Sequence, residues 1–526
     1  MTKVLNVISD TNIGGAGKCI INFCKNYNRK EFEIVVVLPK GSKLIDELKP
    51  TKVKIIEIDG LKDKSFDLPS LPKLIKVIRQ EKPDIVHTHA SSTARLAARM
   101  AGGYKVAFTR HSVFPVSNKI KKGIGRFIYK TSNEFLADRM IAVAEAAKEN
   151  LTDGGINPDM IDVILNGVEK IKETSNDEKN KLKEKLGIKK DEVVIGILAR
   201  LEEVKGHETF IDAANILLNE KHLNAKFLII GTGSKEDKLK EKVKDMHLQD
   251  KIIFTGFIKN VQEYINIMDI QVNCSFGTEA TSLALLEGMS IGIPAVVTDF
   301  GGNPGVIQDG ENGYIVPIKS PKETADAIEK IIENNDILEH MKNKSKEIFN
   351  EKFTVQVYTK NIESFYKKLK EEPKIKKINW LDIFITLIAL VVAVAGYSYL
   401  KKDKPSLTAN TQKVVYKVKT NESLLSTYDL IEEGTTLRDS IKNYNIGTVV
   451  SKEYEKSKRY GVNEETHELV ETELDDKIDI TLTVEADADV SDKNISVGEY
   501  KLKVGNEAYI KGKGYAGIGY IISIER

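Results

Sequence analysis

Residues 270–298 read IQVNCSFGTEATSLALLEGMSIGIPAVVT. Ile270 to Asn273 is a short apolar run, Phe276-Gly277-Thr278 a glycine turn, and Thr281 to Glu287 the start of a helix. Ala295 to Thr298 is a second apolar run. Runs that are apolar throughout, rather than alternating, belong to parallel strands covered on both faces. Strand, helix and strand in succession make the unit of a doubly wound α/β domain.

The same rhythm extends in both directions. It predicts strands at Val193 to Leu198, Lys226 to Ile230, Ile252 to Thr255 and Gly313 to Val316. Before a charged stretch at Ile171 to Lys190, it predicts Val4 to Ile8, Ile34 to Leu38, Val53 to Ile58, Ile85 to His87, Val106 to Thr109, Met140 to Val143 and Asp162 to Leu165. Two Rossmann-like domains follow, 1–167 and 168–370, facing each other. Ligands of such sheets bind beyond the carboxyl ends of the strands, so the expected active site is the cleft between the halves.

Composition narrows the function classes. The chain has 526 residues, with 79 Lys and Arg against 77 Asp and Glu, for a net charge of +2. That balance lacks the electrostatic footprint of a nucleic-acid binder. Cys19, Cys24 and Cys274 are too few and too irregular for a disulfide framework or a zinc site. His87-Thr88-His89 is the nearest approach to a metal motif, and it lacks further ligands. No metal site and no cofactor are expected.

No signal peptide is expected, because Met1 to Ile8 reads as a strand leading into Ser9-Asp10. Residues 381–400, LDIFITLIALVVAVAGYSYL, are apolar except for Asp382. At about 1.5 Å per residue they span about 30 Å, which predicts a transmembrane helix over 378–400. Lys367, Lys368, Lys370, Lys374, Lys376 and Lys377 precede it, and Lys401, Lys402, Lys404 and Lys413 follow. Six cations against four predict a single-pass protein with residues 1–377 cytoplasmic and 401–526 extracytoplasmic. Beyond Pro405, apolar runs at Val414 to Val418, Gly447 to Val450, Ile478 to Val484 and Gly519 to Ile524 predict a small β-rich domain, 405–526.

Several strand ends carry candidate chemistry. Asn12-Ile13-Gly14-Gly15-Ala16-Gly17 precedes a helix, so Gly14 and Gly15 let backbone approach an anion. The same glycines serve packing in any doubly wound domain. Neither GxGxxG nor GxxxxGK[ST] is present, which disfavours dehydrogenases and P-loop ATPases. Arg200 and Lys205 at the cleft mouth can neutralise a diphosphate, one as a planar fork and the other as a point charge, or they are surface cations. Glu279 and Glu287, if both are helical, lie near one face about 12 Å apart and bracket an extended ligand. The amides around Thr281, Ser282 and Leu283 would then hold a phosphate. His111 ends a strand, and His87 and His89 share one face of another, as acceptor-side or packing residues.

Together these residues resemble the retaining glycosyltransferases of family 4, which have the GT-B fold. The resemblance covers residues 1–370 and rests on Glu279-x7-Glu287-Gly288-Met289, Ile293 to Asp299, Gly301-Gly302-Asn303-Pro304 and Asp309-Gly310-Glu311-Asn312-Gly313. It implies that Arg200 and Lys205 bind the donor diphosphate, Glu279 the donor sugar and Glu287 the ribose. It also implies that His111 stands beside the transferred sugar, and that Asn166-Gly167-Val168 is the interdomain turn, with a final helix packing back on the first domain. The chain departs from the family pattern at Ala280-Thr281-Ser282, at Ala144 where a serine is frequent, and at Gly305 where a glutamate is common. The 405–526 domain resembles an uncharacterised family of small Gram-positive domains beyond membrane helices.

The implied activity is retaining transfer from a nucleotide sugar, most often UDP-linked, to a glycan or lipid-linked acceptor at the membrane, without a metal. The rival reading is a nucleotide-sugar-binding scaffold coupled to the outer domain. A second rival is an enzyme of the same fold that uses a phosphorylated sugar. Lys119 to Lys130 mixes cations with apolar residues, as a membrane-surface helix or a solvated face does.

Overall fold

The structure is a computed structural model. It describes residues 1–526 apart from 63–65, 90, 114–115, 374–410, 463–468, 492–493, 499 and 526. The expected membrane helix at 378–400 lies outside the described residues. Among the described residues, no helix is long and apolar enough to cross a membrane. The chain forms two compact units, Met1–Thr386 and Leu387–Arg526.

The first unit holds two parallel sheets. One contains β1 (Thr2–Ile8), β2 (Phe32–Pro39), β3 (Lys54–Ile58), β4 (Ile85–His89), β5 (Lys105–Arg110), β6 (Arg139–Ala142) and β7 (Ile161–Val163), in the order β3-β2-β1-β4-β5-β6-β7. The other contains β8 (Val193–Leu198), β9 (Ala225–Ile230), β10 (Ile252–Gly256), β11 (Ile270–Asn273), β12 (Ala295–Thr298) and β13 (Gly313–Val316), in the order β10-β9-β8-β11-β12-β13. Helices cover the faces, so central strands are buried on both sides. Val4, Leu5, Val7 and Ile8 of β1 are all fully buried, and each such aliphatic side chain contributes about 1.5–3 kcal/mol. Strand order reverses between β1 and β4 and again between β8 and β11. At such switch points the flanking loops part and leave a crevice. The loops after β1, β5, β8 and β11 carry the candidate residues.

The chain leaves the first sheet after Val163 and crosses at Asn166-Gly167-Val168. A Cβ on Gly167 would lie 2.5 Å from the Thr354 carbonyl oxygen, so only glycine fits there. Val168 and Thr354 form an isolated parallel bridge, with Val168 N donating to Phe353 O and Val355 N to Val168 O. The helix Val355–Glu371, capped by Thr354, then runs back onto the first half. Tyr366 is buried there, its ring 5.8 Å from Phe23 and 6.0 Å from Phe32. Lys368 pairs with Asp162 and Lys370 with Asp84.

The second unit is an antiparallel sheet of β14 (Thr411–Ser423), β15 (Thr436–Asp439), β16 (Asn445–Val462), β17 (Leu469–Val490), β18 (Ile495–Val497), β19 (Tyr500–Leu502), β20 (Glu507–Gly512) and β21 (Tyr515–Glu525). Because β14 pairs with both β21 and β17, six strands close into a barrel around Val414, Tyr416, Val418, Leu482, Val484 and Ile521. The strands run longer than their apolar stretches predict. Outward charges extend them by cross-strand pairing, as between Lys413 and Glu485 at 2.7 Å.

Candidate active site

The loops of the second half that carry candidate residues begin at the end of β8. Arg200 is exposed there. The turn Glu203–Lys205 ends at Gly206, where φ is +71°, and a Cβ at this position would lie 2.0 Å from the Cys274 carbonyl oxygen. This close approach presses the turn against the end of β11. It brings Lys205 Nζ to 2.7 Å from Glu279 Oε2, with both side chains nearly buried. Ser275 Oγ donates to the same oxygen at 3.1 Å. A buried ion pair with a further hydrogen bond holds its geometry, because removing one partner strands the other charge.

The condition that Glu279 and Glu287 share one helix is not met. The helix begins at Leu283, with Ser282 as its cap accepting from Leu285 N, so Glu279 stands in the preceding loop. Glycines from the loop after β12 hold it there. A Cβ on Gly301 would come within 1.9 Å of the Glu279 carbonyl oxygen, and one on Gly302 within 1.6 Å of the Ala280 carbonyl oxygen. Thr281 Oγ1 donates across the cleft to Val143 O at 3.1 Å. Thr281 and Ser282 therefore serve interdomain contact and capping with their side chains, and Leu283 is buried.

Glu287 lies within the helix Leu283–Met289 and meets the other half of the unit. Its Oε1 is 3.1 Å from Nζ of Lys18, on the helix Gly15–Asn26. Sequence reasoning missed Lys18. The signal was available: a lysine in the first turn of a helix opposes the macrodipole and needs an external carboxylate. The glycine loop divides in role. A Cβ on Gly17 would meet Leu44 at 2.9 Å, a packing constraint. One on Gly15 would meet nothing within 4 Å, and Gly14, in extended conformation, leads into the helix.

In the first half, three histidines form a line below the cleft. His89 Nε2 is 3.1 Å from Asn6 Oδ1, and His89 Nδ1 is 2.8 Å from His111 Nε2. His89 thus bridges Asn6 and His111, so the tautomers of the two rings are coupled. Burial lowers the pKa of His111 to about 4 and that of His87 to about 3, and holds His89 well below its usual range; neighbouring imidazoles add to the effect at His87 and His89. The line is neutral at physiological pH. His87 does not reach the cleft: its nitrogens are taken by Tyr366 at 2.7 Å and Thr109 at 2.6 Å, deep in the core. Of the two readings open for His87, acceptor side or packing, these contacts favour packing.

A cavity of about 760 Å³ opens between the halves, lined by Ala144, Leu165, Thr281, Gly302, Gly305 and Phe353 among others. Ala144 packs 3.1 Å from where a Gly302 Cβ would stand, whereas Gly305 faces open space. Among the described residues, no group of three or more His, Cys, Asp or Glu side chains is placed to hold a metal ion.

Two facing Rossmann-like halves with this cleft define the GT-B class of glycosyltransferases. Residues 13–170 match the family model described as Glycosyltransferase Family 4, and residues 178–348 that of Glycosyl transferases group 1. The UDP-Gal:alpha-D-GlcNAc-diphosphoundecaprenol alpha-1,3-galactosyltransferase of Escherichia coli is 31% identical over 262 residues, covering 48% of this chain and 67% of that protein. The putative glycosyltransferase EpsD of Bacillus subtilis is 30% identical over 269 residues, 49% of this chain and 70% of its own. The chain belongs to the family 4-type glycosyltransferases. The crystal structure of Anabaena Alr3699/HepE in complex with UDP and glucose shares the fold, at 19% identity and a TM-score of 0.61, over 70% of this chain and all of that one. Residues 373–525 match a domain of unknown function, DUF4330.

Proposed function

We propose that this protein transfers a sugar from a nucleotide sugar, UDP-linked, to a cell-envelope or polysaccharide acceptor, with retention at the anomeric carbon. The observation that carries the reading is the junction of Lys205, Glu279 and Ser275 at the switch point of the second sheet, with Arg200 exposed beside it. Arg200 and Lys205 stabilise charge growing on the leaving diphosphate, Glu279 contacts the sugar, and Glu287 the ribose. His111 offers a neutral imidazole to a sugar hydroxyl. The two cations supply the leaving-group stabilisation, so the reaction needs no metal and no cofactor. Membership of a family whose Escherichia coli relative is named for a diphosphoundecaprenol acceptor supports a lipid-linked acceptor. The apolar run at 381–400 would tether the enzyme, with residues 1–377 cytoplasmic and 401–526 outside.

Calorimetric titration of the full chain with UDP, GDP and ADP tests the reading, followed by hydrolysis assays with the matching sugar nucleotides. Micromolar UDP binding with slow UDP-sugar hydrolysis is expected. Binding without turnover on any acceptor would favour the scaffold reading, and no nucleotide binding by a folded sample would remove the donor assignment.

A further inference from the structure

The helix Gly123–Leu136 has fourteen residues and buries none of them, although it is rich in apolar side chains. One side is anchored. A Cβ on Gly154 would lie 2.3 Å from the Tyr129 ring, and Asn133 accepts from Arg95 at 2.9 Å. The other side leaves Ile124 55% and Phe127 67% exposed, an aliphatic and an aromatic residue one turn apart. Lys122 and Lys130 are exposed beside them and make no ion pair among the described residues. Glu134, the acid on this helix, accepts from Asn157 N instead of neutralising them.

Two more apolar side chains stand at the same end of the sheet. Phe66 and Leu68 are 57% and 56% exposed just before the helix Leu71–Glu81. That helix packs beside Ser92–Ala101, which packs beside Gly123–Leu136. Each of the three follows a parallel strand, so all begin at the carboxyl edge, on the cleft side. Four large apolar residues and unpaired cations at one rim are costly to leave in water, and a mixture of exposed aromatics with free lysines suits an interface of acyl chains and anionic headgroups.

We infer that this rim is a docking surface for an anionic bilayer: Ile124 and Phe127 enter the headgroup boundary while Lys122 and Lys130 contact the lipid phosphates. Docking would turn the cleft mouth toward the membrane. The inference stands apart from the nucleotide chemistry, since it needs neither donor binding nor turnover.

Trp380 is the chain's single tryptophan, so Phe127→Trp in a Trp380→Phe background places one reporter on the rim. The full chain is reconstituted in vesicles of phosphatidylcholine alone or mixed equally with phosphatidylglycerol, and quenched by lipids brominated at shallow acyl positions. With phosphatidylglycerol, a blue-shifted emission and strong quenching are expected. Both should be lost on adding Lys122→Glu and Lys130→Glu or on raising salt, while UDP affinity stays unchanged. Water-like, unquenched emission in both vesicle types overturns the inference. Quenching insensitive to lipid charge, salt and the two lysine substitutions also overturns it.

Discussion

Lys18 Nζ lies 3.1 Å from Glu287 Oε1, joining the first helix of one Rossmann-like half to the carboxylate proposed to hold ribose in the other. If Glu287 holds the ribose, nucleotide binding displaces or shares this ion pair. Lys18 is nearly half exposed, so the pair contributes only about 0.2–1 kcal/mol. Lys18→Met is expected to tighten UDP binding by about 1.4- to 5-fold, the equivalent of that energy. Calorimetry checks this, and weaker binding by the variant would mean that Lys18 itself contacts the nucleotide.

Glu287 and Arg200 should separate binding from turnover. If Glu287 holds the ribose hydroxyls, Glu287→Ala removes hydrogen bonds to a charged acceptor, worth about 1.5–3 kcal/mol, and should weaken UDP binding roughly ten- to hundredfold. Arg200→Ala should lower kcat by about 10²–10³ with a smaller change in KM, because charge on the diphosphate grows toward the transition state. Equal kinetics in wild type and both variants would remove these assignments.

Two nearby glycines make a matched test of the Glu279 loop. Gly302→Ala forces a Cβ to within 1.6 Å of the Ala280 carbonyl oxygen, whereas Gly305→Ala meets nothing within 4 Å. The first should displace the Glu279 loop and cut turnover more than about tenfold, beyond the roughly 1.4 kcal/mol that such a factor represents. The second should leave stability within about 0.5 kcal/mol. Comparable effects of the two substitutions would contradict the packing described for this loop.

Acid should destabilise the first unit through its histidines. His111, His87 and His89 have folded pKa values below the usual 6.5, with His111 at about 4 and His87 at about 3. Below about pH 6.5 the unfolded chain binds protons that the folded chain refuses. Stability is therefore full above about 6.5 and falls as pH drops toward 4, by about 1.4 kcal/mol per unit for each histidine. Calorimetric melting between about pH 7.5 and 4.5 should show the transition of the first unit moving down, and less steeply in His89→Gln. A pH-independent midpoint would mean that the histidine line is solvated.

The parallel architecture was legible because its strands are buried on both faces and are apolar without interruption, as at Val193–Leu198. β7 proved shorter than predicted, since Ile164 and Leu165 leave the sheet for the interdomain crossing. The barrel strands were only partly legible: their outer faces are charged, so alternation hides the ends of β14, β16 and β17. Periodicity could not place Glu279 either, because its loop is held by backbone packing against Gly301 and Gly302.

By itself the sequence determined two doubly wound halves, the glycine loop, the cationic pair and the two glutamates, because periodicity and spacing are local properties of a chain. Only the tertiary structure decided which charges meet. Lys18 finds Glu287 across 269 residues and Lys205 finds Glu279 across 74, while His87 is drawn into the core by Tyr366. Those pairings follow from how the two sheets face each other and how the helix Val355–Glu371 returns to the first half. Contacts between distant segments are set by packing, which one-dimensional spacing does not encode.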